Sequence, residues 1–178
     1  MVESKVYLDF LYYIIGKQKT DFELQIQNQN GMMSKRRKYS DIGFAKEEWW
    51  LSKVNARTLL KNEIVLDIDP NDGETQEQLQ DRCVGIVKTL YQYDLSQYGI
   101  FKSNRAIHIH CFFNTLFSIK ENKRKEIRQK ILKKFGADLQ KSSERATIAL
   151  ELAPHWKNGK KKEMIYTNLE VFDVGENS

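Results

Sequence analysis

Cysteine, proline and histidine are scarce in this chain of 178 residues: two, two and three, respectively. Cys83 and Cys111 stand in no CxxC pair, so they cannot supply a four-ligand zinc site by themselves. They read as small buried hydrophobes in a reducing compartment, and a cytoplasmic protein is expected. No apolar run approaches the length of a membrane span, so no membrane partner is expected. The apolar stretch 6–15 is interrupted by Asp9, and no small-residue cleavage site follows it. It reads as part of a core helix over residues 3–16, not as a signal peptide. There is no internal repeat and no low-complexity linker.

What is present suits one domain over residues 1–178. The hydrophobic fraction is 40% and the charged fraction 30%, the balance of an ordinary globular chain with a real core. The formal net charge is +5, and the basic residues cluster. Lys35-Arg36-Arg37-Lys38 form one group, and Lys157, Lys160, Lys161 and Lys162 another. Residues 120–134 hold eight Lys or Arg against two Glu. Such clusters suit a polyanion, although lysine-rich surfaces also arise without one.

Periodicity organises the rest. Residues 22–26 suit a strand, and residues 46–60 are expected to include a helix. Glu63-Ile-Val-Leu-Asp67-Ile-Asp69 alternates, with Ile64, Leu66 and Ile68 on one face and the two aspartates on the other. Pro70 and Asn71-Asp72-Gly73 end it. Residues 75–93 form an amphipathic helix with Leu79, Cys83, Val87 and Leu90 on one stripe. A strand follows over residues 106–113. Ser118, with Glu121 three residues on, reads as the capping box of a helix that Gly136 closes. Residues 146–153 read as a strand that places Glu151 opposite Ile148, Leu150 and Leu152. A turn at Asn158-Gly159 leads to a last strand near residues 163–167. The pattern is α+β, a mixed sheet with helices packed on one face.

Three groups of residues carry chemistry. Asp67 and Asp69, two apart on one strand face, repel each other unless a cation lies between them. Hard oxygen ligands favour Mg²⁺ or Mn²⁺. An acidic strand end at the surface is the plain alternative. Ser103, Asn104 and Arg105 lead into a strand bearing His108 and His110 on one face. Hydroxyl, guanidinium and imidazole donors suit a phosphate-binding edge, with a hydrogen-bonded, partly buried histidine as the plain alternative and a transition-metal site completed by His155 as a third reading. His155-Trp156-Lys157-Asn158-Gly159 places a His and a Lys at a glycine turn that suits a triphosphate. Its plain alternative is a lysine-rich surface hairpin. Two metal ions would need a third carboxylate. Asp138, after the helix end, and Glu151, on its strand, are the candidates.

In order and spacing these groups resemble the motifs of the archaeo-eukaryotic primase superfamily, especially the small catalytic subunit of DNA primase. The apolar strand ending in Asp67-Ile68-Asp69 matches the family's D-h-D motif, with Glu63 before it. Ser103-Asn104-Arg105-Ala106-Ile107-His108 is similar to S-G-x-R-G-h-H but lacks both glycines and is one residue shorter. Ala137-Asp138 precedes His155-Trp156-Lys157-Asn158-Gly159 at nearly the family's interval. The resemblance covers about residues 63–165, and Arg36-Arg37 suit an upstream nucleic-acid-binding pair. The family's zinc-binding cysteines are absent, and the chain looks like a minimal core. The resemblance implies an RRM-like primase–polymerase core and two-metal nucleotidyl transfer. Asp67, Asp69 and Asp138 (or Glu151 in its place) would be the metal ligands. Ser103, Arg105, His108, His110, His155 and Lys157 would bind the nucleoside triphosphate. Single-stranded DNA would be the template, and a large primase subunit or a helicase a partner. A catalytically silent accessory subunit and a gap-filling polymerase of end joining are the competing readings.

Overall fold

The computed structural model describes residue 11, residues 22–41 and residues 52–168. The expected helix over residues 3–16 and residues 46–51 of the expected second helix lie outside them, apart from Leu11, which is helical and buried. The chain divides into two compact units. Residues 1–60 and 147–162 form the first, and residues 61–146 and 163–178 the second. No helix among the described residues is long and apolar enough to cross a membrane.

The first unit holds a four-stranded sheet of short strands. These are β1 (Glu23–Gln25), β2 (Arg37–Lys38), β3 (Ala56–Thr58) and β7 (Thr147–Ala149), in the order β2-β1-β3-β7. Every neighbouring pair is antiparallel. Phe22 stacks on Tyr39 at 5.1 Å between ring centroids and closes the β1–β2 end. The strand expected over residues 22–26 is present. Residues 52–60 of the segment expected to include a helix run through a turn into β3, whose three residues are all buried. Burial on both faces favours a strand over an amphipathic helix here. The strand expected over residues 146–153 stops at Ala149, and Leu152 takes a positive φ of 62°.

The second unit carries β4 (Glu63–Ile68), α1 (Gln76–Leu90), β5 (Gln97–Lys102), β6 (Ile107–Phe112), α2 (Glu121–Phe135) and β8 (Glu163–Thr167). This β-α-β-β-α-β succession gives a split βαβ arrangement. The strand order is β4-β6-β5-β8, again with antiparallel neighbours throughout. The expected α+β class holds, but the single mixed sheet becomes two antiparallel sheets. β4 and β5, joined through α1, do run parallel, yet β6 lies between them and pairs antiparallel with both. β5 is a strand that the sequence pattern does not announce; its Gly99 leaves the alternation of Gln97–Lys102 weak.

Both helices pack on one face. Ile64, Leu66 and Ile68 of β4 and Ile107, Ile109 and Cys111 of β6 form one core with Leu79, Cys83, Val87 and Leu90 of α1 and Leu132 of α2. A capping box between Thr75 and Gln78 fixes the start of α1. Gly136, in the left-handed region, ends α2 as expected. The start of α2 differs. Residues Asn114–Ser118 form a 3₁₀ turn, the Ser118 hydroxyl donates to Thr115 O, and Lys120 becomes the N-cap.

Arg128 of α2 is wholly buried and ties three elements together. Its Nε donates to Glu63 O and its Nη2 to Lys61 O, both at 2.8 Å. Its Nη1 donates to Glu144 Oε1 at 3.1 Å. Arg124 also pairs with Glu144. Burial pushes the Glu144 carboxyl up, but its contacts with Arg124 and Arg128 outweigh that and hold it below the ordinary 4.5. A carboxylate held low stabilises the fold above that value and loses its contribution as pH falls through the folded-state value. We therefore expect Arg128→Met to destabilise the protein by about 3 kcal/mol at neutral pH, the cost of a broken buried pair. The deficit should shrink in acid, where the wild type has lost the same carboxylate. Urea unfolding at both pH values measures it; a deficit that stays constant into acid would refute the role given to Glu144.

Candidate active site

Alternation along β4 sends Glu63, Val65 and Asp67 away from the helix-covered core, and along β6 it does the same for His108, His110 and Phe112. Register then decides which of them meet. Asp67 lies directly opposite His108, and Val65 opposite His110. Phe101 of β5 flanks His108 on its other side. His108 Nε2 stands 3.5 Å from Asp67 Oδ1. Their side chains keep 19% and 29% of their exposure, so both stay within reach of a solute.

Asp69 lies one residue beyond the end of β4 and is exposed. The turn from Ser103 to Ala106 joins β5 to β6 at this same end, because the Ile68↔Ile107 and Lys102↔Ile107 pairs bound it. Arg105 and Asn104 are exposed on it. Ser103 is committed to the turn itself, since its N–H and its hydroxyl both donate to Ala106 O at 2.9 Å. One end of one sheet thus gathers two carboxylates, an imidazole and a guanidinium.

Other residues expected at the site lie elsewhere. His110 shares a face with His108 but not its surroundings. It is fully buried, with Nδ1 2.9 Å from Glu63 Oε1 and its ring edge-on to Phe101 at 5.2 Å. Two residues further into the sheet, it is withdrawn from any nucleotide in solution. Asp138 is exposed and caps the 3₁₀ turn Leu139–Ser142, accepting from the Gln140 N–H at 2.9 Å. Its contact is with that turn and not with Asp67.

The remaining candidates belong to the first unit. Glu151 is expected mid-strand, but β7 has already ended before it. Both its oxygens are taken by Arg57, Nη2 to Oε1 at 2.6 Å and Nε to Oε2 at 3.0 Å, with both side chains wholly buried. As a cation ligand this carboxylate would share its charge with the guanidinium. His155 and Lys157 sit on the glycine turn as expected. Gly159, at φ 67°, donates its N–H to His155 O at 2.8 Å. Burial, then the charges of Lys162 and Lys157, lower the pKa of His155. Arg36 pairs loosely with Glu23 at 3.4 Å, and Arg37 lies opposite Leu24 on β2.

Arg82 and Glu74 join the site without belonging to any motif of the sequence. Arg82 Nη2 donates to Asp69 O at 2.8 Å, and its Nε and Nη2 grip both Glu74 oxygens at 2.8 and 2.7 Å. Glu74 also accepts the Asn71 N–H at 2.8 Å. The Arg82 hydrogen bonds, with that of Asn71, hold the Glu74 carboxyl down at about 2. Arg82 thereby fastens the loop that carries Asp69 to α1. The Thr75-x-x-Gln78 capping box is the one signal for it, since it sets the helix register on which Arg82 rides.

Asp67 and Asp69 supply hard oxygens at an accessible strand end, a donor set that fits one divalent cation. Neither a scan against protein-family models nor a search of curated proteins finds a match to this chain. Because Arg82 orients the Asp69 loop from behind, we expect Arg82→Ala to weaken Mn²⁺ binding about tenfold, as loss of an outer-shell partner does. Calorimetric Mn²⁺ titration checks this. Equal affinity in variant and wild type would remove Arg82 from the site.

Proposed function

We propose that this chain is a template-dependent nucleotidyltransferase that makes or extends primers on single-stranded DNA with Mg²⁺ or Mn²⁺. The observation that carries the reading is the Asp67–His108 pair. Two motifs far apart in sequence become direct cross-strand partners at a solvent-reached sheet end, with the Arg105 turn beside them. That juxtaposition supports the reading, and nothing in the motifs taken singly demands it.

Within this reading Asp67 and Asp69 hold the cation, and Arg82 keeps the Asp69 backbone in place. Arg105 offers a planar fork to phosphate oxygens. His108, when its Nε2 carries the proton, donates to a phosphate oxygen beside Asp67. Ser103 shapes the turn, because its hydroxyl hydrogen is already given to Ala106. The reaction joins a primer 3′-oxygen to the α-phosphorus of the incoming nucleotide, releasing pyrophosphate and the hydroxyl proton. The bound cation supplies charge neutralisation at the phosphates and a lowered pKa for the attacking hydroxyl.

One observation favours a second reading, the silent accessory subunit. Of the two candidates for a third carboxylate, Glu151 is paired with Arg57 and Asp138 caps a turn. Two carboxylates suit one cation better than two. Primer synthesis and primer extension with labelled nucleotides, with and without Mn²⁺, separate the two readings. We expect incorporation that Asp67→Asn or Asp69→Asn lowers at least about a hundredfold, as loss of several kcal/mol of metal-held stabilisation would. His108→Ala should weaken nucleotide binding and spare DNA binding. Undiminished incorporation by the aspartate variants would refute the site. A wild type that binds DNA and incorporates nothing would be the silent subunit.

A further inference from the structure

The first unit presents two ordered tips. The first spans residues 27–33 and is closed at its base by a Gln27↔Met33 bridge. Asn28 Oδ1 accepts the Met32 N–H at 2.9 Å, and Gln27 Nε2 donates to Gly31 O at 3.2 Å. Gly31 makes the turn at φ 85°, a value that side chains rarely adopt. Met32 is left 65% exposed. The second tip spans residues 155–160, with the His155 N–H bonded to Lys160 O at 3.0 Å and the Lys160 N–H to Asn158 Oδ1 at 3.0 Å.

The two tips abut. A Cβ placed on Gly31 would lie 3.6 Å from Cη2 of Trp156, so the indole rim covers the glycine. The His155 ring is 5.7 Å from the indole. Trp156 remains half-buried, and Lys157 and Lys160 are exposed. Residues 27–38 and 154–162 contain eight Lys or Arg and no Asp or Glu. Amides supply most of the remaining polarity, through Gln27, Asn28, Gln29, Asn30 and Asn158.

From this juxtaposition of Gly31, Met32 and Trp156 with Lys157 and Lys160, we infer a binding surface for single-stranded nucleic acid. Lys157 and Lys160 take backbone phosphates, and the indole with Met32 takes the face of a base. A π-face beside ammonium groups, in segments that carry no carboxylate, is the combination that holds single strands without reading sequence. The same lack of carboxylates disfavours a basic or mixed-charge protein partner. The lysine field that acts on His155 is the field that a phosphodiester would meet. The assignment moves His155-Trp156-Lys157 from the triphosphate to the strand. It rests on the transferase reading only in calling that strand a template.

The test uses fluorescence anisotropy of the full chain with a labelled oligothymidine, in EDTA and without nucleotide, across a salt series. The double variant Lys157→Glu/Lys160→Glu should lose at least about tenfold in affinity. Its log–log salt slope should flatten by about 1.4, two single-strand phosphates at about 0.7 each. Trp156→Leu should lose about fivefold or more even at high salt, where stacking persists. Asp67→Asn should bind like the wild type. The surface is refuted if the wild type does not bind the oligonucleotide. It is also refuted if the double lysine variant, confirmed folded by its circular dichroism, keeps both affinity and slope. Loss of nucleotide affinity with strand binding intact would return these residues to the triphosphate. Preferential binding to vesicles of anionic lipid would assign the surface to a membrane instead. Strand binding without any nucleotide incorporation by the wild type sinks the transferase reading and leaves this surface standing.

Discussion

The candidate site depends on the register between β4 and β6. A slip of one residue would turn Asp67 into the core and Leu66 out of it, because side chains alternate with a period of two. Ile64, Leu66 and Ile68 on one strand and Ile107, Ile109 and Cys111 on the other forbid that slip, since all six are packed against the helices. The cost of exposing them holds Asp67 opposite His108. The apolar face therefore fixes the polar one. The site needs no bond of its own between the two motifs to be assembled, and their 3.5 Å approach follows from the pairing.

Buried guanidinium groups pair with acids in both units. Arg57 closes on Glu151 inside the first unit, and Arg128, with Arg124, closes on Glu144 inside the second. Arg128 also satisfies the carbonyls of Lys61 and Glu63, backbone acceptors that would otherwise be costly to bury. Each such pair exchanges hydration for a bidentate or forked geometry that only arginine supplies. Asp67, the last residue but one of β4, and Asp69, one residue beyond its end, keep part of their exposure. Arg82 is the intermediate case. It is partly exposed and grips Glu74, and through Asp69 O it acts on the loop without claiming the Asp69 carboxylate.

Elements with an uninterrupted period were legible from the residues. β4, α1, the end of α2 at Gly136 and β8 all lie where alternation, an apolar stripe or a glycine cap put them. Elements whose surroundings outweigh their pattern were not. β3 is buried on both faces, so its three residues carry no amphipathic signal. β5 loses its alternation at Gly99. Ser118 and Glu121 have the spacing of a capping box, yet the 3₁₀ turn before them takes up the serine hydroxyl. Local hydrogen-bonding options of this kind compete on nearly equal terms, and packing chooses among them.

The sequence by itself determined that Asp67 and Asp69 end an apolar strand, that His108 and His110 share a strand face, and that basic residues crowd the 35–38 and 157–162 segments. These follow from covalent order and from the period of side chains along a chain. Only the tertiary structure decided that Asp67 faces His108, that His110 is sealed against Glu63, and that Glu151 belongs to Arg57. It alone brought Trp156 against Gly31. The physical reason is that burial and pairing depend on what lies across the gap between strands and turns. Two histidines identical in sequence pattern become an accessible imidazole and a buried one because they sit two residues apart in depth.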